Sequence, residues 1–132
     1  MRKYIATCFV LLLSAACLAS ENPGVASAIG WAELVDSGAY AESWDKSAPL
    51  FQRQVSKTQW KDALKKVRAP LGGLVSREVA ESKPHSSLPG APDAQYLVVT
   101  TATTFQNKAT AIETIAVTKS GDDWLVVGYF IK

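Results

Sequence analysis

Hydrophobic and polar positions alternate through the last third of the chain with the two-residue period of β-strands. Three runs, at 95–105, 108–118 and 124–131, are rich in Val, Ile, Thr and aromatic residues, which suit a pleated, half-buried surface. The connections at 106–107 and 119–123 have the lengths and residue types of hairpin turns. The pattern therefore predicts three consecutive antiparallel strands.

Both faces of these predicted strands carry apolar residues. In the first run, Leu97, Val99 and Phe105 alternate with Tyr96 and Val98. In the last run, the alternation assigns four residues to one face: Leu125, Val127, Tyr129 and Ile131. Because helices cover only one side of a sheet, we expect a curved sheet that encloses a ligand or meets a partner on its other side.

Upstream of these runs, apolar residues recur every three or four positions, which is the period of an amphipathic helix. The first stripe follows Asn22 and Pro23, a helix N-cap with proline at the first helical position. Its predicted inward residues are Ala28, Trp31, Ala32 and Val35. The segment 36–38 ends this helix, a second short helix is predicted over 39–47, and residues 50–55 add a helical turn.

The clearest helix start is at Ser56, which has Gln59 at the spacing of a capping box. A helix is therefore predicted over 57–68. Its apolar positions define a predicted buried face: Trp60, Ala63, Leu64 and Val67. Its basic positions define a predicted solvated face: Lys57, Lys61, Lys65 and Arg68. A basic face of this kind is typical of an exposed helix surface.

A further strand is predicted over 74–82, ahead of the other three, and the proline-bearing segment 83–93 is predicted to be an irregular loop. Together the elements predict an α+β fold, with N-terminal helices packed on a curved antiparallel sheet of four strands. The residues after position 19 suffice for a single domain, at 20–132.

Residues 1–19 have the order of charged, apolar and small residues that is typical of a cleaved secretory signal peptide. Arg2 and Lys3 precede an apolar run that is too short to span a bilayer, and small residues follow it. Cleavage after Ala19 removes a signal peptide at 1–19. We therefore expect a periplasmic or secreted protein.

Cleavage after Ala16 is the alternative, and it would leave Cys17 at the new amino terminus, as in an outer-membrane lipoprotein. Ser14 stands where the lipidation pattern usually has Leu, which favours ordinary cleavage. Association with a membrane is therefore expected only if Cys17 is lipidated. Since Cys8 and Cys17 both precede residue 20, ordinary cleavage leaves a chain without disulfide or thiol chemistry.

The charge balance argues against nucleic acid as a partner. The sequence has 14 basic and 12 acidic residues. Arg2 and Lys3 are removed with the signal peptide, so the exported domain has no net charge. It therefore has no excess of positive charge that would attract nucleic acid.

The usual catalytic motifs are absent from the sequence, which has no phosphate-binding glycine loop, nucleophile-elbow serine, cysteine pair or histidine-rich spacing. We therefore predict neither a cofactor nor a metal site. His85 is the single histidine and lies in the predicted proline-bearing loop, where an exposed side chain is the ordinary interpretation.

Glu113 is the most informative acid because it lies in the middle of a predicted strand. If a concavity encloses it, desolvation would raise its pKa and make it an acid, a base or a ligand anchor. Arg77 is a partner for it, although a structural ion pair or an exposed charge is the plainer interpretation. Tyr129 and His85 would support such chemistry. Trp44 would line a ligand cavity, although aromatic residues at helical spacing usually form core.

Four groups of residues carry a family resemblance: 30–44 (GWAELVDSGAYAESW), 67–72 (VRAPLG), 87–93 (SLPGAPD) with Tyr96, and 105–109 (FQNKA) leading to Glu113 and Thr114. Together they resemble an uncharacterised bacterial secreted family, the domain of unknown function 4019. No reaction or catalytic residue is established for that family, so the resemblance implies membership and no activity.

The order of elements, helices first and then a curved antiparallel sheet, is also similar to the cone-like architecture of nuclear-transport-factor-2-like proteins. Enzymes of that architecture use pocket Asp, Tyr or His residues, and no such set maps onto this sequence. The resemblance allows a homodimer through the sheet. A shared architecture alone does not establish a function.

Two main functions stay open at this point, beside a lipid-anchored structural protein if Cys17 is acylated. The first is a non-enzymatic binding module for a small apolar ligand or a protein partner, favoured by strands that are apolar on both faces and lack a catalytic set. Its predicted ligand-binding residues are Glu113, Tyr129, Arg77, Trp44 and His85. The second is a small hydrolase or isomerase that uses Glu113.

Overall fold

The computed structural model describes residues 22–132, which contain four α-helices, one 3₁₀ turn and four strands. The helices are α1 (Pro23–Asp36), α2 (Tyr40–Asp45), α3 (Pro49–Gln54) and α4 (Lys57–Arg68), and the turn is Ala69–Leu71. The strands are β1 (Leu74–His85), β2 (Tyr96–Phe105), β3 (Lys108–Ser120) and β4 (Asp123–Ile131). The predicted signal at 1–19, with Cys8 and Cys17, lies outside the described residues.

The predicted fold class is confirmed: this is an α+β fold with its helices at the N-terminal end. The strands pair antiparallel in the order β1-β2-β3-β4, each beside its neighbour in sequence. We call the side of the sheet that the helices cover the inner face. Helices and inner face meet in one core, which includes Trp31, Val35, Phe51, Trp60, Leu64, Val99, Ile115 and Val126.

Capping residues fix the starts of α1 and α4 as predicted. The side chain of Asn22 accepts a hydrogen bond from the Gly24 amide at 2.9 Å, and Pro23 follows it. Ser56 Oγ accepts from the Gln59 amide at 3.2 Å, and Gln59 Oε1 accepts from the Ser56 amide at 3.0 Å. The capping box is therefore complete, and α4 begins at a locally determined position.

The predicted faces of α4 are wrong at three positions. Ala63 and Val67 are exposed, whereas Arg68, predicted to be solvated, is buried. The inward stripe contains Trp60, Leu64 and Arg68, each four residues from the next, because side chains at that spacing lie on one face of a helix. Arg68 is tolerated there because it meets a carboxylate and an aromatic ring, described below.

Strand β1 is longer than predicted. It continues to His85, which pairs with Tyr96, so the irregular segment begins only at Ser86. Pro84 is tolerated because β1 is an edge strand, where a missing N–H is least costly. His85 therefore lies at the exposed end of a strand and not in a loop.

The predicted alternation holds in β2 and fails in β4. Leu97, Val99 and Phe105 are buried, as expected for one face of β2. In β4, one extra residue, Val127, enters where the register with β3 shifts. Val126 consequently lies on the inner face together with Tyr129, although simple alternation assigns these two to opposite faces.

None of the helices within 22–132 is long and apolar enough to cross a membrane.

Two buried serines allow a test of how the helices are held together. Trp60 Nε1 donates to Ser43 Oγ at 3.0 Å. Trp31 Nε1 donates to Ser47 Oγ at 3.2 Å and also to the Ser43 carbonyl at 2.8 Å. Ser43→Ala deprives Trp60 of its acceptor and should lower the free energy of unfolding by about 1–3 kcal/mol.

Ser47→Ala is the matched control, because Trp31 keeps its bond to the Ser43 carbonyl. We expect a loss of at most about 1 kcal/mol for this variant. Urea unfolding followed by tryptophan fluorescence measures both losses. A Ser47→Ala loss equal to or above that of Ser43→Ala would contradict the assignment.

Candidate functional site

Three of the predicted site residues, Arg77, Glu113 and Tyr129, meet on the inner face of the sheet. Arg77 Nε donates to Glu113 Oε1 at 2.7 Å, and Arg77 Nη2 donates to Glu113 Oε2 at 3.2 Å. The Tyr129 hydroxyl donates to Glu113 Oε2. The side chain of Arg77 is 5 % exposed and that of Glu113 is 0 % exposed. The ion pair that the sequence suggested is therefore present, and it is buried.

Four residues that the sequence analysis did not assign to a site complete this arrangement. Asp36, the last residue of α1, accepts from Arg77 Nη1 at 2.6 Å and from Arg68 Nη2 at 2.8 Å. Thr103 Oγ1 donates to Glu113 Oε1 at 2.7 Å, and Thr101 Oγ1 does so at 3.3 Å. We call the set the Arg77 network: Asp36, Arg68, Arg77, Thr101, Thr103, Glu113 and Tyr129.

Hydrogen bonding, and not burial, decides the ionisation of the two carboxylates in the Arg77 network. Burial alone would raise the pKa of Glu113, but hydrogen bonds from Arg77 and Tyr129 hold that pKa below its ordinary value. Burial acts in the same direction on the pKa of Asp36, and the bonds from Arg77 and Arg68 again lower it. Burial therefore acts on the pKa of Glu113 in the expected direction, but the hydrogen bonds outweigh it and the expected rise does not occur.

The donors to Glu113 are held in their protonated forms. Burial raises the pKa of Tyr129, and the Glu113 carboxylate raises it further. Burial alone would lower the pKa of Arg77, but its hydrogen bonds to Asp36 and Glu113 raise that pKa above the ordinary value. Neither Tyr129 nor Arg77 therefore exchanges a proton near neutral pH, as a general acid or base must.

Arg68 is less completely bonded than Arg77. Its guanidinium carbon lies 4.7 Å from the centroid of the Phe105 ring, a cation–π geometry, and one nitrogen bonds Asp36. Within the described part of the chain, its Nε and Nη1 atoms are buried without a hydrogen-bond partner. Unpaired buried donors cost free energy, so Arg68 contributes less to stability than Arg77 does.

The other two predicted site residues lie apart from the Arg77 network. Trp44 Nε1 donates to the Val55 carbonyl at 2.8 Å, and Lys57 Nζ stands 5.3 Å from its ring centroid. His85 is exposed beside Tyr96 at the far end of β1. Among residues 22–132, no group of three or more His, Cys, Asp or Glu side chains is arranged to hold a metal ion.

A surface groove lies between α1 and the start of β4. Its volume is about 410 Å³, and it is open to solvent. The residues that line it are Ser27, Gly30, Trp31, Leu34, Lys46, Asp123, Trp124, Leu125 and Val126. Most of these are apolar, and Lys46 and Asp123 add one charge of each sign. We call this feature the α1–β4 groove.

Replacing Arg77 tests whether the network is structural. Arg77→Met leaves the buried carboxylates of Asp36 and Glu113 without their shared cation, and we expect the free energy of unfolding to fall by about 3–5 kcal/mol. Arg68→Met is the matched control. It removes one hydrogen bond and the cation–π contact with Phe105, together with two unpaired nitrogens, and should cost less than about 2 kcal/mol. Chemical denaturation at pH 7 measures both. A larger loss for Arg68→Met would contradict this assignment.

The network also predicts how stability responds to acid. The pKa values of Glu113 and Asp36 are lowered in the folded state, so their stabilisation is present above the unfolded-state values of about 4 and is lost as the pH falls through the folded-state values. In Arg77→Met, the same buried carboxylates favour protonation. The deficit of the variant should therefore be largest at neutral pH and smaller near pH 4. Denaturation at both pH values tests this, and a deficit independent of pH would refute it.

Comparison with known proteins establishes a family for this chain. No curated protein and no solved structure matches it, so the cone-like architecture stays a prediction. A family model described as "Protein of unknown function (DUF4019)" matches residues 27–129, which is more than half of the chain. The chain therefore belongs to the DUF4019 family of proteins of unknown function.

Proposed function

We propose that this protein is a non-enzymatic binding module that acts outside the cytoplasm and holds a small apolar ligand in the α1–β4 groove. The groove itself carries the proposal. Its volume of about 410 Å³ and its mainly apolar walls are typical of small-molecule sites. Lys46 and Asp123 add a cation and an anion that would orient a polar group of the ligand.

The packing of the inner face supports a surface site over an enclosed one. Around Glu113, the space between helices and sheet is filled by Arg77, Thr103 and Tyr129, which all bond the carboxylate. Glu113 is 0 % exposed. A ligand that entered here would have to displace bonds that hold the fold together.

A hydrolase or isomerase based on Glu113 gains no support from the same contacts. A general base must come within hydrogen-bond distance of the proton that it removes, or reach it through one water molecule. The Glu113 carboxylate already accepts bonds from Arg77, Thr103 and Tyr129 and is closed to solvent. The binding module is therefore the function that the geometry favours.

Gly30→Phe tests the groove with little change to the fold. Gly30 lines the groove from α1, and a Cβ atom added there meets no atom within 4 Å. A phenyl group at this position should occupy the groove. We expect the fluorescent probe 1-anilinonaphthalene-8-sulfonate, an aromatic anion that binds apolar surfaces, to bind the variant at least about tenfold more weakly than the wild type, a change of about 1.4 kcal/mol.

Lys61→Phe is the control, because it places the same ring on the exposed face of α4, away from the groove. Fluorescence titration compares the three proteins. Unchanged binding by Gly30→Phe, or equal weakening in both variants, would count against the groove. Native mass spectrometry of the exported protein would then show whether it retains a small molecule from the cell.

Export is the second part of the proposal, and residues 1–19 motivate it. We expect protein recovered from the periplasm or the medium to begin at Ser20, which its intact mass measures. Cys17→Ser should leave both mass and location unchanged. Incorporation of a fatty-acid analogue into the wild type, and not into Cys17→Ser, would instead establish the lipoprotein alternative.

A further inference from the structure

The two edges of the sheet differ in how the chain covers them. At the β4 edge, Ser47 forms a parallel bridge with Val126, and the Ala48 amide donates to the Val126 carbonyl at 2.8 Å. At the β1 edge, the backbone of Leu74–His85 bonds only that of β2 among residues 22–132. Within this part of the chain, a row of outward-facing N–H and C=O groups is therefore free along β1. Such a row is a template for a further strand.

A second groove runs beside the first half of β1, residues 74–79, and lies between this strand and α1. Its volume is about 370 Å³. Six large apolar residues of the described chain are exposed, and three of them line this groove. We call the feature the α1–β1 groove, and its lining includes Ile29 and Glu33 of α1 with Leu74, Val75, Arg77 and Val79 of β1.

The strand that forms one wall of the α1–β1 groove is fixed in place although its apolar residues stay uncovered. Arg77 points inward and bonds Asp36 at 2.6 Å and Glu113 at 2.7 Å. Two positions away on either side, Val75 and Val79 are 62 % and 45 % exposed. The edge is therefore preformed, and a partner that binds it does not have to order it first, which lowers the entropic cost of binding.

The uncompensated charge beside the α1–β1 groove is negative. Glu33 is exposed on α1, three residues before Asp36, so it lies about 4.5 Å along the helix from the carboxylate that bonds Arg77. Glu78 is exposed on β1 and, as the neighbour of Arg77, lies on the opposite face of the sheet. Among residues 22–132, neither glutamate takes part in an ion pair. A positively charged occupant would therefore be attracted from both faces.

The second half of β1 is protected against strand addition, and the first half is not. Lys83 and Pro84 lie near the end of β1, and a charge and a missing N–H are features that protect sheet edges. A shift in register before Glu81 separates the two halves. The first half has no proline, and its one basic residue, Arg77, is turned inward. The free edge is therefore open where the α1–β1 groove lies.

We propose that the first half of β1 binds an extended, basic segment of a partner protein, which adds a fifth strand to the sheet. A polypeptide backbone offers N–H and C=O groups at the spacing of the free edge. Alternate side chains of the segment point into the α1–β1 groove, where Ile29, Val75 and Val79 favour apolar residues. Lysine or arginine beside these apolar residues pairs with Glu33 on one face and with Glu78 on the other.

A synthetic peptide tests the recognition, with the chain that begins at Ser20 as its partner. The peptide KKVTVTVKK, labelled with fluorescein, has its valines on one face of a strand and lysines on both faces at each end. Either strand direction therefore brings lysine to Glu33 and Glu78. Fluorescence anisotropy should show binding at least about tenfold tighter than that of EEVTVTVEE. Equal binding of the two peptides, or no binding of the lysine peptide, would overturn the proposal.

Matched variants of the protein locate the site. Val79→Lys puts a charge into the α1–β1 groove and should weaken binding of the lysine peptide by about tenfold or more. Val67→Lys is its control, because this valine is 46 % exposed on α4, on the β4 side of the molecule. Glu33→Lys should also weaken binding by about tenfold, whereas Glu42→Lys, on the exposed surface of α2, should stay within about threefold. Equal effects within either pair would show unspecific attraction and contradict the site.

Methylation of the peptide backbone tests whether the peptide adds as a strand. In an extended peptide, the amides of successive residues point to opposite edges. One version is methylated at two valine amides and another at the two threonine amides. One of them should bind at least about tenfold more weakly, because it loses its bonds to β1, and the other should stay within about threefold. Equal affinities of the two versions would refute strand addition.

Two further measurements separate this proposal from its alternatives. Sedimentation velocity that shows a dimer for the wild type and a monomer for Val79→Lys would assign the edge to a second copy of the chain and overturn the proposal. Gly30→Phe should bind the lysine peptide within about threefold of the wild type, because the α1–β4 and α1–β1 grooves share no lining residue. A protein that binds the dye and not the peptide would overturn this inference and leave the proposed function standing.

Discussion

The guanidinium of Arg77 joins the helical layer to the edge of the sheet. It bonds Asp36 at the end of α1 and Glu113 in β3, while its own backbone belongs to β1. The apolar residues of β1 contribute little to this junction, because Val75 and Val79 stay 62 % and 45 % exposed. Burial of apolar surface therefore does not fix β1 against the helices. Two charge-assisted contacts do so, and they require one particular position of α1 along the sheet.

The same contacts explain why a carboxylate that looks catalytic is structural. A buried acid becomes a useful base when burial outweighs hydrogen bonding, because its pKa then approaches neutrality. At Glu113 the balance is reversed, since Arg77, Tyr129 and Thr103 all bond the ionised form. Its position in the middle of a strand left both an exposed and an enclosed carboxylate open, and the structure shows the enclosed one. Whether the pKa of Glu113 is raised or lowered depends on how many hydrogen-bond donors surround its carboxylate. That number is set by contacts that form only when the chain folds.

Features set by neighbours in sequence were predictable here, and features set across the fold were not. The capping box at Ser56 and the buried face of β2 depend on residues within a few positions of each other. Asp36 meets Arg68 from 32 positions away, and Arg77 from 41. One local signal did exist: Thr101 and Thr103 share the otherwise apolar face of β2, and the register places Thr101 opposite Glu113. Two hydroxyls on a buried face indicate a polar partner there.

The bulge at Val127 is the least predictable feature, and it decides which residues of β4 face the helices. Phe130 lies on the face of the sheet opposite the helices, and unbroken alternation from it would place Trp124 and Val126 on that face as well. The extra residue reverses the alternation, so these two turn to the inner side and line the α1–β4 groove. The apolar wall that β4 contributes to that groove thus follows from one inserted residue.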